Sequence, residues 1–511
     1  MGWFSKPKQD FLGKNNGHAG DAMALIDGLG STGPAQQTNT QDHHIRGTAV
    51  EDATDPVVQQ ALWQSLQPGQ LQMGFVPVPF QDEQQHFLLA GAPGTGKSLT
   101  LKWLLGGIQS RAEKALVYDP VGDMVAQFYR PGFDIILNPL DQRDAGWYPW
   151  GDLAPHELAS FAKTIIPDPQ GQADPFWAMA GQAIIQALFH HCKNMDEVLR
   201  LAVMADQEEL KEVVRKAGLI GLAGPDKTFA GVRATLAAPL HKLGALRNVT
   251  LEQYAKGETF RIKEWVQNDN DRRWVFLLSN KSQFETLSPL LTLWTDIVVR
   301  AALSATPNPN RRIWLSLDEL PSLGKLAALG PAMAEGRKFG LTAILGLQTI
   351  QQLRQIYGKE EASVLYGLPK NRLILRINDQ ETADEMSKEL GEYQRRRVTT
   401  SVNQSVNQSV SRGTTLGGFG GGLGDSLLEG AFGSRNTTHT MGSSQGSSTS
   451  ESLVIERAVL PSEIMQLPDL HGYVKTGGET IKVNLPIPNQ PWIESQPQHL
   501  PAEIRQMPWE R

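Results

Sequence analysis

One octapeptide constrains this chain more than any other feature: Gly91-Ala-Pro-Gly-Thr-Gly-Lys97-Ser98, a fit to G-x-x-x-x-G-K-[ST]. An apolar run, His86-Phe-Leu-Leu-Ala90, leads into it, and a helix-like run, Leu99-Thr-Leu-Lys-Trp-Leu-Leu105, follows. Strand, glycine loop and helix in that order are the context in which this motif cradles phosphate. Glycines let the backbone wrap an anion, so that successive N–H groups and a helix N-terminus point at it. The candidate binding residues are Gly91, Ala92, Pro93, Gly94, Thr95, Gly96, Lys97, Ser98 and Leu99. Lys97 suits the β and γ phosphates of ATP, and Ser98 suits Mg2+.

Such a loop needs a sheet, and the chain supplies one. Lys114–Asp119, Phe133–Asn138, Arg273–Leu278, Ile313–Asp318, Leu341–Gln348 and Asn371–Ile377 read as strands. Helical stretches lie among them, including Ser288–Ala302 and Gln380–Leu390. That alternation predicts an α/β fold with a mainly parallel central sheet wound on both faces. Between Asp152 and Glu264 the strand signal vanishes. Leu158–Ile166, Trp177–Cys192, Asp196–Ala205, Glu208–Lys216 and Thr228–Leu243 carry helical spacing instead. Asp174-Pro-Phe-Trp177 reads as a helix start, with Asp capping and Pro at the first helical position.

The expected organisation is as follows. Residues 1–45 are a Gly/Gln/Asn-rich disordered region, 46–151 the first part of a nucleotide-binding domain, and 152–265 an inserted all-α domain. Residues 266–399 complete the domain, 400–450 are a Gly/Ser-rich flexible insert, 451–485 closing strands, and 486–511 a Pro/Gln-rich tail.

Composition narrows the partners. The net charge of −6 gives no bulk electrostatic grip on nucleic acid, so DNA contact must come from a local basic surface such as a ring pore. Cys192 is the only cysteine, which excludes a disulfide framework and a cysteine-based zinc site and fits a reducing, cytoplasmic compartment. No apolar run of bilayer-spanning length stands out. Trp3 and Phe4 beside Lys6 and Lys8 could touch a membrane surface, though a disordered tail is the plainer reading.

The second chemical feature is Asp318-Glu319, two acids at the end of an apolar strand. Beside a phosphate loop, Asp318 can orient Mg2+ while Glu319 polarises a water for in-line attack. Gln348 ends the next strand and could sense the γ phosphate or that water. Arg337, in Glu335-Gly-Arg-Lys-Phe-Gly340, could reach a neighbouring subunit's nucleotide; the ordinary alternative is a solvated arginine. Asp119, Asp123 and Arg143 could contact nucleotide or the next subunit. Trp147, Trp150 and Trp177 could stack on bases, with packing at a domain junction as the alternative. Arg395-Arg-Arg397 reads as a solvated charge run, with nucleic acid as the minority reading. His43-His44 lacks spaced partners for a metal.

Several further segments carry a resemblance: Tyr118-Asp-Pro-Val-Gly-Asp123, Asn138-Pro-Leu-Asp-Gln-Arg143 with Trp147–Trp150, Asp174–Trp177, Leu317–Leu323, Gly336–Gly340, Gly346-Leu-Gln348 and Glu456–Ile464. With Gly91–Ser98, this ordered set resembles the type IV coupling proteins, the conjugation ATPases of the TraD and TrwB kind, from about Ile45 to Gly478. The resemblance implies a RecA-like P-loop motor domain with an all-α domain, a homo-hexameric ring, and ATP hydrolysis driving DNA through the pore. It implies partners in a relaxase and secretion-channel proteins. Lys97 and Ser98 match the nucleotide and Mg2+ ligands, Asp318 and Glu319 the second nucleotide motif, Gln348 the sensor, and Arg337 the position acting across a subunit boundary. Family members usually begin with two membrane-spanning helices, which this chain lacks, so a peripheral place at the inner membrane is one expectation. A non-hydrolysing or protein-exporting adaptor, or a DNA packaging or segregation ring, remains an alternative at this point.

Overall fold

The computed structural model describes residues 37–169, 174–413, 436–488 and 494–502. The N-terminal Trp3–Lys8 stretch, Gly417–Gly422 and the end of the tail lie outside the described residues. The chain divides into two units, one from Met1–His44 with Arg395–Val454 and one from Ile45–Gln394 with Ile455–Arg511.

Among the described residues, the larger unit is built on a sheet of ten strands. In chain order they are β1 (Val50–Asp52), β2 (Phe87–Ala90), β3 (Lys114–Asp119), β4 (Ile135–Leu137), β5 (Val275–Leu278), β6 (Ile313–Leu317), β7 (Leu341–Leu347), β8 (Asn371–Leu375), β9 (His471–Thr476) and β10 (Glu479–Asn484). Across the sheet they run β1-β10-β9-β8-β2-β7-β6-β3-β5-β4. From β8 to β4 every neighbouring pair is parallel. The hairpin β9–β10 closes the β8 side antiparallel.

The central strands read as unbroken apolar runs because both sheet faces are covered. Alternate residues serve separate cores. Leu88, Leu116, Leu315 and Leu317 face one apolar cluster, while Phe87, Leu89, Val117 and Trp314 face another. The second cluster is roofed by α1 (Lys97–Ser110) through Leu101, Leu104, Leu105 and Ile108. Part of it is a short hairpin, Gln72–Met73 against Val76–Pro77.

Among the described residues, 158–267 hold helices and no strand, including Leu158–Ile165, Phe176–His191, Gln207–Lys216 and Asp226–Lys242. Their apolar faces share one continuous core with a face of the sheet. Asp174 does cap its helix start, accepting the Phe176 amide at 2.9 Å. The tryptophans sort differently. Trp147 is 1% exposed, edge-on to Trp294 and hydrogen-bonded to Asp152 at 2.8 Å, so it cannot stack on a base. Trp150 stacks on Phe189 with its indole N–H bound to that residue's carbonyl. Trp177 remains 41% exposed.

Two expectations change. Phe284–Leu303 is long and apolar enough to cross a membrane by composition, but it packs against the sheet with 72% of its apolar window buried. It is apolar because it is a core helix; Thr292 and Asp296 on its buried face use the Leu323 carbonyl and Arg300 as partners. Gln37–Gly47, Glu392–Gly413 and Asn436–Arg457, whose greater part makes up the smaller unit, form a three-stranded sheet with Glu392–Gly413 in the middle. The sequence reading takes most of that region as flexible. Its glycines and serines signal a linker, yet the Thr-Thr-Ser-Val-Asn-Gln-Ser-Val run is rich in the β-branched residues that favour strands.

Candidate functional site

Register brings the site together. Leu347 of β7 pairs with Ala90 of β2, and Leu345 of β7 pairs with Leu317 of β6. Gly91, Gln348 and Asp318, the residues that follow those strands, therefore leave the sheet at the same carboxyl edge. Ligands of open α/β sheets bind at that edge. β7 stands between the phosphate-loop strand and the acid-bearing strand, an adjacency that chain order does not disclose.

The loop is held from several sides. The Gly91 amide donates to Leu347 O at 3.1 Å and the Ala92 amide to Arg376 O at 2.8 Å. Thr95 Oγ1 donates to Ala92 O at 2.7 Å, and Leu470 N donates to Thr95 O at 3.0 Å. Gly96, with φ of 119°, is the residue before α1, in a conformation that side-chain-bearing residues avoid. A Cβ there would also stand 2.7 Å from Leu485 Cδ1. Arg376, Leu470 and Leu485 escape sequence reasoning, because they act through backbone or through shape.

Lys97 is buried within the loop, its Nζ donating to Gly91 O at 2.5 Å and Ala92 O at 3.2 Å. Burial lowers its pKa, and Asp318 and Glu319 work against that shift. Ser98 Oγ donates to Asp318 Oδ2 at 3.1 Å. The other oxygen of that carboxylate, Oδ1, is buried without a hydrogen-bond partner. A hydroxyl paired with a carboxylate that keeps one free oxygen is a donor set suited to Mg2+, which takes oxygen ligands and is commonly bound through one or two carboxylates plus phosphate. Burial raises the pKa of Asp318, opposed by the Ser98 hydroxyl and Lys97. Burial likewise raises Glu319, opposed by a hydrogen bond from the Gln348 amide to its carboxylate.

One residue the sequence did not single out as functional sits under this arrangement. A Cβ on Gly346 would overlap the Asp318 carbonyl and lie 2.9 Å from Asp318 Cα. Glycine inside an otherwise apolar strand is the signal that a second backbone comes close.

Arg337 is not brought to this edge. It lies exposed in the turn Gly336–Phe339, before the start of β7, with the whole strand between it and Gln348. Two other candidates are occupied elsewhere. Asp119 is buried and accepts the amides of Gly122, Met124 and Val125, so it caps α2 (Asp123–Phe128) instead of facing a ligand. Burial pushes its carboxyl up to about 6 despite those bonds. Arg143 forks onto Asp141 and onto the carbonyls of Pro497 and Gln498 in the chain's own tail.

Residues 70–486 match the family model described as the type IV secretion-system coupling protein DNA-binding domain. The chain is 28% identical over 449 residues to the coupling protein TraD of Escherichia coli K12, covering 85% of this chain and 57% of TraD. It is 27% identical over 167 residues to the conjugal transfer protein TraG of Rhizobium radiobacter, covering 32% of this chain and 25% of that protein. The structure of the plasmid coupling protein TrwB with ADP and Mg2+ superposes with a TM-score of 0.69 at 26% identity, over 89% of this chain and 96% of that one. TrwB with the ATP analogue ADPNP gives the same score over 90% and 98%. The fold is thus the RecA-like P-loop fold, and the chain belongs to the type IV secretion-system coupling protein family.

Proposed function

We propose that this chain is an ATP-hydrolysing DNA translocase that links a relaxase–DNA complex to a type IV secretion channel in conjugative transfer. One observation carries the reading: Lys97, the Ser98–Asp318 pair and the Gln348–Glu319 pair converge at one sheet edge. The family match and the nucleotide complexes of TrwB support it.

The division of labour follows from the chemistry of each group. Loop amides and the N-terminus of α1 bind the phosphates. The Lys97 ammonium exchanges its carbonyl partners for the β and γ oxygens. Ser98 and Asp318 hold Mg2+, which, when bound, neutralises charge that builds on the phosphoryl oxygens. Glu319, its basicity raised by burial, orients and deprotonates the attacking water, and the Gln348 amide fixes that carboxylate. β7 spans about 20 Å from Leu341 to Leu347, at about 3.3 Å per residue, with Arg337 before one end and Gln348 after the other. That separation supports a role at the site of an adjoining subunit, where an arginine stabilises transition-state charge. A homo-hexameric ring with DNA in its pore, working at the cytoplasmic face of the inner membrane, supplies that neighbour.

The test is ATP hydrolysis against protein concentration, with and without single-stranded DNA and with Lys97→Ala as the blank. A rate per subunit that rises with both supports a ring-forming DNA motor. Arg337→Ala should bind nucleotide without turnover, and mixing it with Glu319→Gln should restore part of the rate at mixed interfaces. Turnover by Lys97→Ala, or no rescue in any mixture, overturns the corresponding assignment.

A further inference from the structure

The turn that carries Arg337 is gripped by the segment 308–313, which leads into β6. Three carbonyls follow Arg337 in succession, and that segment takes all of them. Asn308 N donates to Lys338 O at 3.1 Å, Arg311 Nη1 to Phe339 O at 3.4 Å, and Ile313 N to Gly340 O at 2.9 Å. Gly340 N turns back onto Arg337 O at 3.2 Å. Gly340 has φ of 79°, and a Cβ there would overlap the Arg311 carbonyl, so the two backbones touch. Arg337 itself stays exposed at the head of this clamped turn.

One carboxylate stands behind the clamp. Asp269 accepts Asn308 Nδ2 at 3.0 Å on Oδ2. It also takes the Arg311 fork, Nε on Oδ1 and Nη2 on Oδ2 at 3.2 Å. The Arg311 side chain is only 6% exposed, against 43% for Asp269. A buried guanidinium stays in place only with its counter-charge and its hydrogen bonds satisfied. The two-point fork fixes its plane, and the remaining nitrogen is left to Thr306 O at 2.9 Å and Phe339 O.

Asp269 is a firm post for this purpose. It follows the helix Ile262–Gln267, where the chain leaves the helical region for β5. Lys114 Nζ donates to Trp265 O at 2.7 Å and to Asn268 O at 2.8 Å. Lys114 pairs in register with Ile313, and Ile313 with Leu341, so post, clamp and turn meet at the amino edge of β3, β6 and β7.

We infer that Asp269, acting through Arg311 and Asn308, positions Arg337 for the nucleotide site of an adjoining subunit. It is a positioning residue, far from the phosphate loop at the opposite edge. The inference rests on the cross-subunit reading of Arg337 given above, and the experiment separates the two. Asp269→Asn in the full chain keeps a single acceptor oxygen, too few for both the fork and the Asn308 amide, while the strand pairing at Ile313 survives. A misplacement of about 1 Å costs roughly 10²-fold in rate, and a turn still held by Ile313 should lose less, about tenfold in kcat. Nucleotide affinity should be unchanged, and Asp269→Glu, which keeps the carboxylate, should recover most of the rate.

Subunit mixing reads the role directly. Asp269→Asn mixed with Glu319→Gln should exceed the sum of the two separate rates, because an Asp269→Asn subunit then receives Arg337 from an intact turn. Mixed with Arg337→Ala it should gain nothing. A general packing defect would not tell these partners apart. Where the mixture of Arg337→Ala with Glu319→Gln is itself rescued, three results overturn the positioning role alone: parental kcat in Asp269→Asn, a loss of nucleotide affinity in that variant, or rescue by Arg337→Ala in place of Glu319→Gln. No rescue of Arg337→Ala by Glu319→Gln overturns the cross-subunit reading and takes this inference with it.

Discussion

Gly346→Ala tests whether the acid-bearing strand end must sit where it does. The new methyl would stand 2.9 Å from Asp318 Cα and overlap the adjoining carbonyl. The Asp318 carbonyl carbon would lie 2.4 Å and its oxygen 1.7 Å from the methyl, against about 3.5–4.0 Å for ordinary non-bonded carbons, so the Asp318 backbone must retreat by about 1 Å or more. Both strands are buried on both faces, which leaves the retreat to the residues just past β6, namely Asp318 and Glu319. A displacement of about 1 Å costs roughly 10²-fold in rate, or about 2.7 kcal/mol of transition-state stabilisation. Overpacking of this kind also costs about 1–3 kcal/mol of folding stability. The phosphate loop hangs from β2, so nucleotide affinity should fall much less than kcat. Steady-state hydrolysis, nucleotide titration and urea unfolding of the parent and variant read these three quantities. A variant that turns over within threefold of the parent at unchanged stability refutes the reasoning.

Further outcomes follow from buried groups. His86 accepts the Ala343 amide on Nδ1 and faces Met333 O with Nε2, and burial holds its pKa at about 4 against an ordinary 6.5. The unfolded chain binds a proton here between pH 6.5 and 4 that the folded chain refuses, so stability falls as pH drops through that window. From pH 6.5 to 5 the loss is about 2 kcal/mol. His86→Gln keeps a donor and an acceptor, and its unfolding midpoint should lack that slope; parallel pH profiles for the two proteins would remove the assignment. Cys192 is fully buried at the end of its helix, with its thiol pushed up to about 12. At pH 8 an aromatic disulfide reagent should leave native protein unlabelled and label one thiol after unfolding. Rapid labelling of native protein would contradict the packing of that helix.

The legible parts of the fold were those written in local pattern. Phosphate loop, apolar strands and the successive helical stretches between 158 and 243 are each short-range signals, and Asp318, Glu319 and Gln348 could be picked out because they end such strands. Asp119 and Arg143 misled for the same reason. A charged residue at a strand end looks alike whether it faces a ligand, caps a helix or grips the chain's own tail, because the difference lies in partners distant in sequence: the tail residues Pro497 and Gln498 are more than 350 positions from Arg143. The Ser/Thr-rich strands failed on composition, since the residues that make linkers flexible also fit a polar sheet.

By itself the sequence determined the chemistry of the site and the periods of its elements, both being properties of residue type and spacing. Only the tertiary structure decided strand order, which sets β7 between β2 and β6 and so gives Glu319 the Gln348 amide. It alone put Arg337 at the opposite edge from the loop, and it alone brought the Asp318 backbone against Gly346. Each of these depends on hydrogen-bonded pairing between segments dozens to hundreds of residues apart, and local propensity carries no information about such pairing.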